Sequence, residues 1–251
     1  MGVGAAASAA ADEVLALLAV RGDADFALRM QRFFPRRIRA LGVSNATVVA
    51  VANGYLQGRG SVSAGRRLEI AEEVLERASH HEEVLLAFAL LHKVAGSQLD
   101  DDFLDRAEIW LNRYVSNWAQ CDDLCLKLLY PFLRGHLELI PQTRGWVEGE
   151  SGWTRRAANV AVVKFVRRRV GRVTFELPVA HAFGNATSLL YDDDVYVQKG
   201  CGWLLKVVGQ VHPVDLADYR HRWHAQMRRE TFRYAVEGLD RETRAALLAL
   251  G

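Results

Sequence analysis

Cysteine is scarce in this chain of 251 residues. Cys121, Cys125 and Cys201 make an odd, small set, which excludes a disulfide framework and fits a reducing compartment. Cys121 and Cys125 can share a helix face, and His80, His81 and His92 lie within reach along the chain, but the tight paired spacing of a zinc site is missing. No metal is expected, and the cysteines read as small buried side chains. Proline is scarce and glycine scattered, which excludes a long disordered linker. No apolar run reaches the roughly twenty residues of a membrane span. The start, MGVGAAASAAADEVLALLAV, lacks the basic leader of a secretory signal and reads as a first helix. Its Met-Gly is followed by Ala6 where a myristoylation signal takes Ser or Thr. A cytoplasmic protein is expected. Strand alternation is lacking too: GRVTFELPV comes nearest and reads as helix or loop.

What is present is helical. Half the residues are hydrophobic and a quarter charged, enough for a substantial core. Two short amphipathic stretches stop at Pro35, and Ser44 is placed to cap NATVVAVANGYL. AGRRLEIAEEVLERA repeats apolar residues at Leu68, Ile70, Ala71, Val74, Leu75 and Ala78, a helical period. Further helices are expected over 82–95, 103–114, 117–133 and 151–168. Asp192, Asp193 and Asp194 open another, Pro213 starts the next, and Asp240 caps a last one. Short connections between such helices favour successive antiparallel pairs with a unit of about forty residues, the length of HEAT and armadillo units. The expected fold is all-α: a superhelical stack of antiparallel helix pairs with a concave face, in a single domain spanning 1–251. A compact irregular helical domain is the alternative.

The formal charge is only +2, yet the basic residues, mostly Arg, are clustered. Arg36, Arg37 and Arg39 form one group, Arg66 and Arg67 another, then Arg155 with Arg156, and Arg167 to Arg169. The pattern fits phosphate binding, and equally a solvated Arg-rich surface. Two segments stand out. In SNWAQCDDL, Trp118 and Asp122 are four residues apart and share a helix face. In YVQKGCGWLLK, Gln198, Lys199, Trp203 and Lys206 follow, with Lys199, Trp203 and Lys206 on one stripe. A carboxylate walled by aromatics near cations is costly to bury without a purpose. Each piece also has an ordinary reading: a cap, a solvent-facing Arg pair, a core Trp. Gly200 and Gly202 inside a helix point to close approach of another helix or of DNA.

FFPRRIRALGVSNATV, VSNWAQCDDL, SGWTRRAANVAVVKF and VYVQKGCGWLLKVVGQVHP occur in that order. On these segments the chain resembles the AlkD-type DNA alkylation repair family, the HEAT-like-repeat DNA glycosylases, from about Phe33 to about Leu248. The resemblance implies excision of cationic N3- and N7-alkylated purines from duplex DNA by a monomer without cofactor. It implies Asp122 as the catalytic carboxylate, Trp118 and Trp203 as walls beside the lesion's sugar, and Arg156 on the DNA backbone, with Arg155, Gln198 and Lys199 beside it. Lys206 falls where the family commonly has Arg, which keeps the cation and loses the bidentate fork. Phe33 falls where a relative has Tyr, and Ser44 where a longer polar residue occurs, so these N-terminal DNA contacts depart from the pattern.

The chemistry is self-consistent. An alkylated purine carries positive charge and leaves without protonation. A fixed carboxylate stabilises the oxocarbenium-like sugar where its charge develops and can position the attacking water. One carboxylate suffices, unlike the pair in sugar hydrolases. Trp faces attract cations, at about 0.5 to 2 kcal/mol per contact. The family grips sugar and backbone without a tight base pocket, which would admit bulky adducts. A non-catalytic relative that binds distorted or branched DNA, and a helical scaffold without nucleic acid, are the competing functions.

Overall fold

The computed structural model describes residues 3–238 and 240–248; the Met1-Gly2 start lies outside them. The chain is helix after helix, and it divides into two compact units, residues 1–135 and 136–251.

The first unit contains α1 (Val3–Ala19), α2 (Ala24–Met30), α3 (Asn45–Gln57), α4 (Ala64–Arg77), α5 (His81–Leu91), α6 (Phe103–Arg113), α7 (Trp118–Asp123) and α8 (Tyr130–Gly135). Ser44 caps α3 as its position predicts, its hydroxyl accepting from Thr47 N. The expected stripe of α4 is borne out: Ile70, Ala71, Val74 and Leu75 are buried. α4 and α5, joined by residues 78–80, pack side by side and so run antiparallel. α5 is buried along nearly its whole length, and its Phe88 stacks on Trp110 while Phe103 meets Trp110 and Phe132 edge-on. Each such side chain taken from water contributes about 1.5–3 kcal/mol.

The expected helix over 117–133 starts at Trp118 and continues to Gly135, but widens to a π-helix over Leu124–Leu129, where Tyr130 N donates to Cys125 O. Pro131 supplies the reason. It has no N–H to give, and its ring would clash with a carbonyl one turn back, so the widened turn lets the helix pass the proline. Trp118 and Asp122 lie before the widening, within α7, and keep one face. All three cysteines are buried and none forms a disulfide.

The second unit begins with a 3-10 run, Leu137–Glu148, followed by α9 (Gly152–Val160), α10 (Val179–Ser188), α11 (Val195–Val211), α12 (Pro213–Trp223), α13 (Arg229–Ala235) and α14 (Arg241–Leu248). α11 is the hub, packed against α9, α10, α12 and α13. Its glycines are sites of close approach between helices: a Cβ at Gly200 would meet Arg156 Cγ at 3.3 Å, and one at Gly202 would meet Thr231 O and Tyr234 Cβ at 3.0 Å. Two expectations are corrected. The helix expected over 151–168 ends at Val160, and GRVTFELPV is partly strand. β1 (Arg168–Val170) pairs antiparallel with β2 (Val173–Phe175), with Arg168 opposite Phe175. These are three-residue strands turned by Gly171-Arg172, too short for alternation to register as a pattern. Among the described residues no helix is long and apolar enough to cross a membrane.

Candidate nucleic-acid interface

In the first unit the site is built around Trp118. Asn117 caps α7, its side-chain oxygen accepting from Ala119 N and Gln120 N at 3.1 Å. Its amide donates to His81 Nδ1 at 3.1 Å, so His81 is an acceptor there and holds its proton on the other nitrogen. Burial lowers the His81 pKa, against the opposing pull of Glu82 and Asp123, and keeps the ring neutral. Phe34 lies between His81, which it meets edge-on at 5.4 Å, and Trp118, on which it stacks at 5.6 Å. Trp118 Nε1 donates to the Phe33 carbonyl at 3.3 Å. The indole is thereby fixed in plane and rotation while remaining half-exposed.

Asp122, one turn on, is half-buried. Its neighbour Asp123 differs: it is buried, ion-paired with Lys127 and 3.7 Å from His92 Nε2. The two adjacent carboxylates are thus sorted by the helix, one inward to a structural pair and one toward the surface. Phe33 is 59% exposed, with Arg32 over its ring at 4.7 Å. Ser44 is exposed but spends its hydroxyl on the cap of α3.

The segment between them, residues 34–44, has no regular structure and is nonetheless pinned. Gln31 donates to Phe34 O and Arg36 O and accepts from Ile38 N. His81 N donates to Arg39 O. The carboxylate of Glu82, fully buried, accepts from Leu41 N, Gly42 N and Val43 N at 2.8 to 3.0 Å. Gly42 has φ +79°, and a Cβ there would sit 1.9 Å from Asp23 O, so only glycine fits. Glu82 had no signal in the sequence beyond being an acid in an otherwise apolar helix.

In the second unit the expected residues separate into two groups. Lys199, Trp203 and Lys206 share the outward stripe of α11. Lys199 lies over the Tyr196 ring at 5.2 Å, and Tyr196 sits 5.4 Å from Trp153. Lys206 lies over Tyr234 at 5.1 Å and pairs with Glu237 at 2.9 Å. Half-exposed aromatics and cations thus alternate along this surface. Trp153, Tyr196 and Tyr234 were not singled out by sequence; the signal available for Trp153 and Tyr196 was their three-residue spacing from Arg156 and Lys199, and Tyr234 had none.

Arg155, Arg156 and Gln198 turn inward instead. Arg155 pairs with Asp192 and donates to the carbonyls of Gly149 and Glu150 at 2.9 Å. Arg156 is 5% exposed and donates to Tyr196 O at 2.7 Å, bracing α9 against α11. Gln198 is buried; its amide donates to Leu189 O and Asp192 O and accepts from Thr231. Gln198 and Arg155 make these internal bonds because the turns before α11 and α9 leave backbone carbonyls that take donors. The Asp192 to Asp194 triplet opens α11 as expected, and Asp194 is its cap.

An all-α chain that sets cations among aromatics on its surface has the makeup of the class that handles nucleic acid. The chain belongs to the DNA alkylation repair enzyme family: the family model so described matches residues 14–239. Its fold is similar to that of a predicted DNA alkylation repair enzyme from Enterococcus faecalis, with a TM-score of 0.74 at 13% identity, covering 88% of this chain and 98% of that one. No curated protein matches the chain. The family gives the protein a role in DNA repair.

Proposed function

We propose that the protein is a DNA glycosylase that hydrolyses the N-glycosidic bond of cationic N3- and N7-alkylated purines in duplex DNA, acting as a monomer with 1–251 as one functional domain. The observation that carries this reading is the Trp118–Asp122 pair: a half-buried carboxylate, one helical turn from an indole whose plane is locked by Phe34 and the Phe33 carbonyl. That is the arrangement an oxocarbenium-like sugar needs. The carboxylate meets the developing charge without reorganising, and the indole excludes water, which strengthens the attraction. Asp122 stabilises the sugar cation and orients the attacking water; the purine departs neutral, needing no acid. Trp203 is taken as the second wall, and Lys199 and Lys206 as phosphate contacts, on the resemblance alone. Arg156 acts in this scheme chiefly by holding α11 in place for Trp203.

The inward turn of Arg155 on α9 and the pairing of Lys206 on α11 with Glu237 leave fewer cations for DNA and favour a second reading, a non-catalytic protein that binds distorted or branched DNA. Base release separates the two. The wild-type protein should free 7-methylguanine or 3-methyladenine from alkylated duplex, and side-by-side duplexes with small and bulky purine adducts would define the substrate range. Binding without release of any adduct would select the second reading.

A further inference from the structure

We propose that residues 34–43 form a preformed phosphate clamp, in which Arg37 and Arg39 grip a backbone phosphate of duplex DNA. The proposal rests on the reading of the protein as an enzyme acting on DNA, and it adds residues to which no part in that reaction has been given.

Arg37 and Arg39 are exposed, and neither has an ion-pair partner among the described residues. Both line a recess of about 300 Å³ together with Ser79, Tyr114, Ser116 and Asn117. Asn117 is the cap that starts the Trp118 helix, so the recess adjoins the fixed indole along the chain. The acids nearest in sequence to these lining residues are already engaged. Glu83 accepts from Ser79 N and His80 N, and Glu76 is taken by Arg113 and Tyr114. Two guanidiniums are thus left to face the opening with their charge uncompensated.

The backbone beneath them is the second observation. An irregular loop presenting solvated arginines has no need of a fixed course. This one is fastened at Phe34, Arg36 and Ile38 by Gln31, at Arg39 by His81 N, and at Leu41, Gly42 and Val43 by Glu82. Fastening removes the ordering cost that a mobile loop would incur on binding. Guanidinium forks suit phosphate oxygens, and the sugar–phosphate chain repeats that group at regular spacing. The ligand chemistry is a phosphate, and the source the loop favours is the DNA strand gripped at Trp118, since Phe33 and Phe34 join the clamp to that indole.

The test is duplex DNA affinity of the full chain across a salt series, with R37A/R39A compared against wild type. Each phosphate neutralised contributes about 0.9 to the slope of log affinity against log salt, so loss of the one gripped phosphate should make the double variant's slope shallower by about 0.9. R106A/R113A removes the same charge from arginines already paired with Glu72 and Glu76, and should keep the wild-type slope. Inorganic phosphate at constant ionic strength supplies the other arm. Failure of millimolar phosphate to displace DNA from the wild type supports a strand contact; displacement that R37A/R39A abolishes would make the recess a free-anion site and overturn the clamp. An unchanged slope in R37A/R39A would overturn the clamp alone, leaving the glycosylase reading in place. Absence of DNA binding by the wild type would overturn both.

Discussion

The two units use arginine in opposite ways. In the first, Arg36, Arg37 and Arg39 are exposed, and uncharged or acidic side chains, Gln31 and Glu82, do the internal work of fastening the backbone. In the second, Arg155 and Arg156 turn inward to do that work, and lysines carry the outward charge on α11. The difference follows from which backbone groups are left over. The loop before α3 presents N–H groups at Ile38 and at Leu41 to Val43, which only an acceptor can satisfy, and its carbonyls at Phe34, Arg36 and Arg39 are met by one neutral amide and a backbone N–H. The turns before α9 and α11 present free carbonyls, which need a donor with several arms. A cluster of arginines in a sequence is therefore a surface or a scaffold according to the polarity of the loop beside it.

That comparison can be broken by removing each fastener. Glu82→Ala leaves three N–H groups without this partner, those of Gly42 and Val43 buried and that of Leu41 partly so. At about 1–3 kcal/mol each, the loss in unfolding free energy should reach at least about 3 kcal/mol by chemical denaturation. Arg156→Ala removes the guanidinium bond to the Tyr196 carbonyl and leaves a void beside Gly200, and should lose about 2–4 kcal/mol while weakening DNA binding regardless of sequence. Arg37→Ala, by contrast, should change stability by less than about 0.5 kcal/mol, since its side chain is exposed and unpaired. Equal losses from Arg156→Ala and Arg37→Ala would erase the distinction between scaffold and surface.

Acid sharpens the comparison at lower amplitude. Burial holds His81 below its usual range in the first unit, and burial with Arg144 nearby pushes His181 down to about 4 in the second. A histidine with a lowered folded pKa binds protons more readily when unfolded. Its contribution is full above about 6.5 and is lost as pH falls below that value. Stability should therefore decline from about pH 6.5 toward 4, and His181→Gln should flatten part of the decline. A midpoint that does not move over that window would contradict it.

Much of this was legible in the sequence, for physical reasons. Periodicity marked α4, cap chemistry marked Ser44, the acidic triplet marked the start of α11, and four-residue spacing placed Trp118 and Asp122 on one face. The π-widening was not legible from period, although Pro131 was there to require it. The short hairpin was missed because three residues are too few to alternate. The inward course of Arg155 and Gln198 was hidden because it answers carbonyls of a turn, and sequence does not show which backbone groups a turn leaves unpaired. Glu82 was hidden for the same reason with the polarity reversed.

The catalytic proposal stands on Asp122, and single-turnover release of 7-methylguanine from methylated duplex by Asp122→Asn tests it most directly. The amide keeps the shape of the side chain and removes its charge. Release should fall by about two to three orders of magnitude or more, with duplex affinity and the melting transition near wild type. Release at the wild-type rate would contradict the account.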